Sequence, residues 1–279
     1  MGRTALVVED EPLLSEMLVG ILDKRGFDAT PMLDGTDAAA WVREHQPDLV
    51  MLDLMLPGRS GYEICQELKL DRATNLIPIV ICTARTQHED RLRGLRIGAN
   101  YYLTKPFTID QLEHAVNHAL AWRREVEEAG TAGEVHFELK SDTHYLEELN
   151  RLLSSLFLHT GMSEDDIFQL TTAVREMGSN AIEWGNQKRD DSAVTVTYRI
   201  DAEKIVIVIR DEGPGFDRAN LPHAVKGIHD PASHLEVRDA MGLRIGGFGI
   251  FMSRGMVDDL QYNHTGNEVR LTKRFARRD

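Results

Sequence analysis

Glu9 and Asp10 stand directly after the apolar run Ala5 to Val8, and Asp53 closes a second run, Leu49 to Leu52. Thr83 follows Ile79 to Cys82, and Lys105 comes just after Tyr101 to Leu103. Each of these residues falls at the carboxyl end of an expected strand. In an open parallel sheet that edge, at the switch in strand order, is where ligands bind. Three carboxylates drawn to within about 4 to 5 Å repel by roughly a few kcal/mol per pair at an effective dielectric near 20, so such a pocket calls for a divalent cation or a proton. Ligands that are all oxygen favour Mg²⁺, which keeps positions open for phosphoryl oxygens. Asp53 is then the expected nucleophile. Lys105 neutralises one phosphoryl oxygen and Thr83 donates a hydrogen bond to another.

A second constellation lies further along the chain. Glu176 and Asn180, four residues apart, share one helix face, where a carboxylate beside an amide can orient a metal and deprotonate a hydroxyl. Asp211, Gly213 and Gly215 follow the strand Ile205 to Ile209. Glycines there let a flat ligand approach the backbone while Asp211 accepts a hydrogen bond. Gly246, Gly247 and Gly249 then open an apolar helix, Phe248 to Met256, whose free N–H groups suit phosphates. No GxxxxGK[ST] segment is present, so a nucleotide here is held without a P-loop lysine.

The elements that position these residues differ between the two halves. Up to about Trp122, short apolar runs alternate with helical patterns, as parallel β/α units do. The first helix opens at Pro12, carries Leu14, Met17, Leu18, Ile21 and Leu22 as one stripe, and stops at Gly26. The last helix of this half runs from Ile109 to about Glu128, and its apolar positions Ile109, Leu112, Val116, Ala119 and Val126 form a seam interrupted by Arg123. That seam is too weak to dimerise alone, so a homodimer needs further contacts from the receiver faces or the ATPase domains. Gly130 to Gly133 is expected to be a flexible joint. Beyond it come a strand from Val135 to Leu139, a helix from about Asp142 to His159, and a second helix from Glu164 to Trp184 capped by Ser163 and Asp166. A hairpin of Val194 to Ile200 and Ile205 to Ile209 follows, then a long loop over 216–245 and a closing strand near Val269 to Thr272.

Composition narrows the function. The 279 residues are enough for roughly two domains at about 150 residues each. A formal charge of −13 repels a phosphate backbone, and the basic cluster Lys273, Arg274, Arg277 and Arg278 reads as a solvated tail, so no nucleic-acid partner is expected. Cys65 and Cys82 lack CxxC spacing and sit in apolar surroundings, which suits packing in a reducing cytoplasm. No apolar stretch reaches the roughly 18 residues of a membrane span, so no membrane contact is expected.

VVEDEP, DLMLPGRSG, CTA and YYLTKPF resemble the response-regulator receiver domain over residues 1 to about 122. That resemblance implies that Asp53 accepts phosphate from a histidine kinase or phosphotransfer protein. It implies that Glu9 and Asp10 hold Mg²⁺ with Asp53 and the Met55 carbonyl, and that Thr83 and Tyr102 are the switch pair. EMGSN, DEGPG and GGFGIF, in that order, resemble the N and glycine boxes of the GHKL ATPases from about residue 135 to 276, most nearly the anti-sigma-factor serine kinase branch. This second resemblance implies ATP as cofactor and Asn180 coordinating Mg²⁺. It makes Glu176 a general base, gives adenine N6 to Asp211, and lets Gly213, Gly215, Gly247 and Gly249 shape the pocket.

The expected fold is α/β, with an N-terminal doubly wound five-stranded parallel receiver domain over 1–122. A helical extension and linker over 123–134 leads to a C-terminal α+β GHKL ATPase sandwich over 135–279. The expected function is a cytoplasmic two-component response regulator whose Asp phosphorylation controls a serine/threonine kinase. The kinase would act on a STAS anti-anti-sigma protein, with a sigma factor as competing partner. A partner-sequestering switch without turnover is the rival. A histidine kinase using His114 or His118 fits less well, because only one helix fits between Phe107 and Gly130, and Ala115 and Ala119 follow the histidines where an acid is usual. His223, His229 and His234 lack an i, i+4 pair, so the 216–245 loop is read as a lid and not as a zinc site.

Overall fold

The computed structural model describes residues 2–84, 95–158, 160–189, 191–215 and 248–275. The chain divides into two compact units, Met1–Phe137 with Tyr198–Ala202, and Glu138–Thr197 with Glu203–Asp279.

In unit 1 the apolar runs become β1 Arg3–Val8, β2 Phe27–Met32, β3 Leu49–Asp53, β4 Ile79–Thr83 and, after a short β5 Leu95–Ile97, β6 Tyr101–Thr104. Five of them form one parallel sheet in the order β2-β1-β3-β4-β6. β3 and β4 are buried at every position, which a parallel sheet achieves only with helices on both faces. Those helices are α1 Pro12–Lys24, α2 Ala38–His45, α3 Gly61–Leu70 and α4 Ile109–Glu128. Alternation along the strands sends Ala5, Val7 and Met51 to a core with Leu18, Leu22, Leu112 and Val116, and Leu6, Val50 and Leu52 to another with Val42, Ile64 and Leu68.

Several expectations change here. Met17 is 43% exposed, because the two core positions of α1 are taken by Leu18 and Leu22. Most of the α4 seam is covered: Leu112, Val116 and Ala119 pack into the first core and Val126 is also buried, so these four are not available to a second copy, and Ile109 alone of the five is exposed. The expected joint is a bonded turn. Gly130 takes φ 66°, Thr131 N–H donates to the Val126 carbonyl and Ala132 N–H to the Ile200 carbonyl. β5 was not foreseen; Gly98, just beyond it, donates its N–H to the His136 carbonyl at 2.7 Å. Both cysteines are buried and free, and burial pushes the Cys65 thiol up to about 11 and Cys82 to about 12.

Next to that turn Glu134 is almost wholly buried. It accepts from Trp122 Nε1 at 2.8 Å, from His136 Nε2 at 2.9 Å and from Arg199 Nε. Burial works against its charge, yet His136, Arg199 and Trp122 together hold the carboxyl down at about 2. Lys69 Nζ lies 4.9 Å from the Trp122 ring centroid and donates to the Asn75 and Ile77 carbonyls and to Asn100 Oδ1. The buried ammonium is thereby satisfied by three acceptors, although burial lowers its proton affinity to about 8.

Unit 2 takes up the rest of β7 Gly133–Lys140 and β8 Ala193–Ile200, with β9 Lys204–Asp211, β10 Asp259–Tyr262 and β11 Glu268–Arg274, in the order β10-β11-β9-β8-β7. β11 runs antiparallel to both β9 and β10, with Leu271 opposite Ile207 and Leu260. Three helices join this sheet, α5 Thr143–Leu158, α6 Glu164–Asn180 and α7 Phe248–Met256. The α/β assignment therefore holds, with a parallel five-stranded sheet and a second, antiparallel one. The Ser163 hydroxyl caps α6 by accepting from Asp166 N–H. That helix ends at Asn180 instead of running on to Trp184, and the chain widens into a π-helical turn, Ala181–Gly185, in which Asn186 N–H donates to the Ala181 carbonyl. Lys273 is not part of a solvated tail: it is buried, donates to Gln169 Oε1 and the Met256 carbonyl, and pairs with Asp166. Arg277 and Arg278 lie outside the described residues.

Among the described residues, no helix is long and apolar enough to cross a membrane.

Candidate functional site

The carboxyl edge of the parallel sheet gathers Glu9, Asp10 and Asp53, whose ligand oxygens lie within 4.8 Å of one another. Glu9 and Asp53 are buried and Asp10 is exposed at the rim. Lys105 reaches in from just beyond β6, with Nζ 2.8 and 2.7 Å from the two Glu9 oxygens and in direct contact with Asp53 Oδ2. The other Asp53 oxygen accepts Met55 N–H at 2.9 Å, so the backbone turn after β3 fixes the carboxylate plane. Thr83, also buried, is tied to Lys105 through its carbonyl, which accepts Lys105 N–H at 2.8 Å. Tyr102 packs on the opposite sheet face from Tyr101, and its hydroxyl accepts Ala99 N–H at 3.4 Å.

Electrostatics follow from this packing. Burial raises the proton affinity of Glu9 in spite of Lys105 beside it, and the nearby Asp53 charge adds to the rise. Burial also opposes charge on Lys105, but Asp53 and Glu9 hold its ammonium above the ordinary lysine value. One ammonium pairs with two of the three clustered carboxylates, and that surplus of negative oxygen fits a hard divalent cation such as Mg²⁺.

Sequence reasoning missed the residue that closes this pocket from behind. A Cβ on Gly61 would lie 1.8 Å from the Asp53 carbonyl oxygen, so only glycine lets the start of α3 pass the end of β3. The signal was available in Ser60 and Glu63, which form a capping box around that helix start.

Unit 2 brings its own residues together. Glu176 and Asn180 share a face of α6, and a Cβ on Gly249 would lie 3.0 Å from Glu176 Oε2 and 3.8 Å from Asn180 Nδ2. The glycine at the head of α7 therefore keeps backbone close to both polar groups. Asp211 ends β9, largely buried, with Oδ1 accepting Gly213 N–H at 2.9 Å, and burial raises its proton affinity. Gly215 adopts φ 75°, and a side chain there would strike the Thr265 carbonyl at 2.0 Å. Gly247 and the 216–245 segment with His223, His229 and His234 lie outside the described residues.

Two further residues of this cradle escaped the sequence reading. A Cβ on Gly185 would meet the Asp211 carboxylate at 2.3 to 2.6 Å, and one on Gly213 would meet the Gly185 carbonyl oxygen at 2.1 Å. The π-helical turn thus slides beneath Asp211, and only glycine fits there; such turns recur at functional sites. Asn186, fully buried, accepts Glu212 N–H at 2.8 Å and donates to Ser141 Oγ and the Ala193 carbonyl, which pins the residue beside Asp211. The Gly185-Asn186 pair directly after a helix was the visible signal.

Comparison with known proteins agrees with this division. Residues 5–117 match the response regulator receiver domain, and residues 139–273 match the histidine kinase-like ATPase domain. The chain thus carries a two-component receiver domain fused to a kinase-like ATPase domain. It is 45% identical over 112 residues to the phosphate regulon transcriptional regulatory protein PhoB of Escherichia coli (strain K12), covering 40% of this chain and 49% of that protein. It is 46% identical over 112 residues to the DNA-binding response regulator MtrA of Mycolicibacterium smegmatis, covering 40% of this chain and 48% of MtrA. The chain spans about half the length of the curated relatives it matches. Among solved structures, the receiver domain of sensor histidine kinase PA1611 from Pseudomonas aeruginosa PAO1 is similar at 27% identity and TM-score 0.40, over 43% of this chain and 99% of that one. Chemotaxis response regulator CheY4 of Vibrio cholerae is similar at 24% identity and TM-score 0.39, over 43% of this chain and all of CheY4 (100%).

Proposed function

We propose that the protein is a response regulator in which phosphorylation of Asp53 controls an ATP-dependent serine/threonine kinase of the anti-sigma type. Its protein substrate would be a STAS anti-anti-sigma domain, with a sigma factor as competing partner. The observation that carries this reading is the presence, in one chain, of two complementary sites. One is a carboxylate pocket anchored by Lys105 on Asp53, and the other a glycine-edged cradle that sets Glu176 and Asn180 against Gly249.

In the first site an Asp53 carboxylate oxygen attacks the phosphorus of an incoming phosphohistidine. The P–N bond breaks, its electron pair leaves with the imidazole, and the phosphoryl group ends on Asp53 as an acyl phosphate. Lys105 stays near the oxygens on which charge builds, and Thr83 donates to the phosphoryl group. Glu9, Asp10, Asp53 and the Met55 carbonyl would hold Mg²⁺, which supplies further charge neutralisation when bound.

In the second site Asp211 accepts a hydrogen bond from adenine N6, with Gly213 and Gly215 admitting the base. Asn180 would hold Mg²⁺, and Gly249 at the head of α7 would bring backbone N–H groups to the phosphates. Glu176 takes the proton from a serine or threonine hydroxyl as that oxygen attacks the γ-phosphorus and the bond to the β-phosphate oxygen breaks. A domain division at 1–122, 123–134 and 135–279 accompanies this reading.

The test is incubation of the purified chain with labelled ATP, Mg²⁺ and candidate STAS proteins, with and without acetyl phosphate. Acid-stable label on the partner, changed by acetyl phosphate and lost in Glu176→Gln, is the expected result. ATP binding with no transfer favours a partner-sequestering switch. Acid-labile label on His114 or His118 overturns the serine kinase reading in favour of a histidine kinase.

A further inference from the structure

His114 and His118 lie one helical turn apart on α4, both exposed, so their imidazoles leave the same face of the helix. Neither takes part in the Asp53 pocket. Their ring centroids are 6.4 Å apart with 30° between the planes. Tyr101, from β6, stands beside both, with ring centroids 5.8 Å from His114 and 5.3 Å from His118. Its hydroxyl oxygen is 3.2 Å from His114 Nδ1.

That hydrogen bond has a chemical consequence. With the proton on Nδ1, His114 donates to the tyrosine oxygen, and the lone pair on Nε2 is left for a ligand. Histidines that bind metals are held in just this way, by an acceptor on the nitrogen that does not ligate. Two imidazoles that share one ion at about 2.0–2.1 Å through nitrogen have centroids roughly 5 Å apart. The rings are stacked in this structure, so ligation draws them together by about an ångström and turns them until one nitrogen of each faces the ion, a rearrangement of χ angles open to exposed side chains.

We propose that Tyr101, His114 and His118 form a transition-metal site in unit 1, in which the two imidazoles ligate a borderline-soft divalent cation such as Zn²⁺ or Cu²⁺ and the Tyr101 hydroxyl orients His114. Imidazole suits these ions, whereas the all-oxygen pocket around Asp53 suits Mg²⁺, so the two positions sort metals by ligand chemistry. Two protein ligands leave coordination positions open to water or another donor.

The chain has 11 histidines, so metal binding by the wild type is not enough on its own. The full chain is titrated calorimetrically with zinc chloride in excess magnesium chloride, and Cu²⁺-loaded samples are examined by electron paramagnetic resonance. Expected results are a Zn²⁺ site lost in His114→Gln and in His118→Gln, and weakened roughly tenfold in Tyr101→Phe, as the loss of an orienting partner weakens metal ligation. The Cu²⁺ spectrum should show two coordinated nitrogens in the wild type and one in His118→Gln. The two histidine variants change exposed side chains, Tyr101→Phe keeps the ring that packs against the first core and removes only the hydroxyl, and circular dichroism checks the fold of all three. Zn²⁺ affinity unchanged in both histidine variants, or no wild-type site, overturns the assignment. An unchanged Tyr101→Phe titration removes the orienting role.

Discussion

The pocket around Asp53 and the cradle around Asp211 both sit at the end of a buried strand, but they are built from opposite materials. In unit 1 the site consists of what side chains carry: three carboxylates with oxygens within 4.8 Å of one another, and an ammonium bonded to two of them. In unit 2 much of it consists of side chains that are missing, with Gly185, Gly213, Gly215 and Gly249 each bringing backbone close to a polar group or another main-chain segment. A charge-built site is sensitive to isosteric changes that remove charge. A glycine-built site is sensitive to a single methyl group. The contrast follows from the ligands expected of each: a small, highly charged phosphoryl group in the first, and a broad, flat base in the second.

Substitutions can break that comparison, and the largest effect is expected in the charge-built site. Asp53→Asn should abolish alkali-labile labelling by acetyl phosphate, read by phosphoprotein electrophoresis before and after base. Undiminished labelling would remove Asp53 as the nucleophile. Next comes Glu176→Gln, which should slow transfer to a partner by about 10² to 10⁴ while leaving nucleotide affinity nearly intact. Equal rates would argue for a switch without turnover.

The cradle should respond to both kinds of change, but more to the steric one. Asp211→Asn should weaken ATP binding by roughly 1 to 3 kcal/mol, since a buried charge-assisted hydrogen bond is lost. Gly185→Ala, which forces a methyl group into the Asp211 carboxylate, should weaken it at least as much although it removes no polar atom. Fluorescent nucleotide titration of both variants, with far-ultraviolet circular dichroism as the folding control, decides the order. If Gly185→Ala binds like wild type, the steric account of the cradle fails.

A smaller effect concerns stability and the Glu134 cluster. The folded carboxyl sits at about 2, below an unfolded value near 4.3, so its contribution is present above the unfolded value and is lost as pH falls toward about 2. Glu134→Gln should lower stability by about 1 to 3 kcal/mol at neutral pH, because Arg199 and His136 lose a charged acceptor. The gap between variant and wild type should narrow on acidification below about pH 4, where the wild-type advantage titrates away. Urea unfolding at several pH values checks this, and a constant gap would mean that the carboxylate charge is not what matters.

How much of this was readable beforehand depended on distance along the chain. Strand-end positions of Glu9, Asp53, Thr83 and Lys105 could be read because a buried parallel strand is a short apolar run, and the next polar residue marks its end. α1 could be bounded by Pro12 and Gly26 for similarly local reasons. Its buried face was harder: Met17 fits the helical stripe as well as Leu18 does, yet Leu18 and Leu22 take the core positions and Met17 is left exposed. The seam on α4 failed in the same way, since periodicity marks an apolar face without naming the surface that covers it.

The order of the apolar runs, the acidic and basic residues that end them, and the N box with its two glycine boxes were settled by the sequence itself, because each depends on neighbours within a few positions. Tertiary structure alone decided that Gly185 lies beneath Asp211, that Gly61 passes the Asp53 carbonyl, and that Trp122, His136 and Arg199 converge on Glu134. It also decided that Lys273 is an anchor and not a tail. Those contacts join segments that are far apart or meet through the exact path of a turn, and local patterns carry no information about which backbone will come within a methyl group's reach of which side chain.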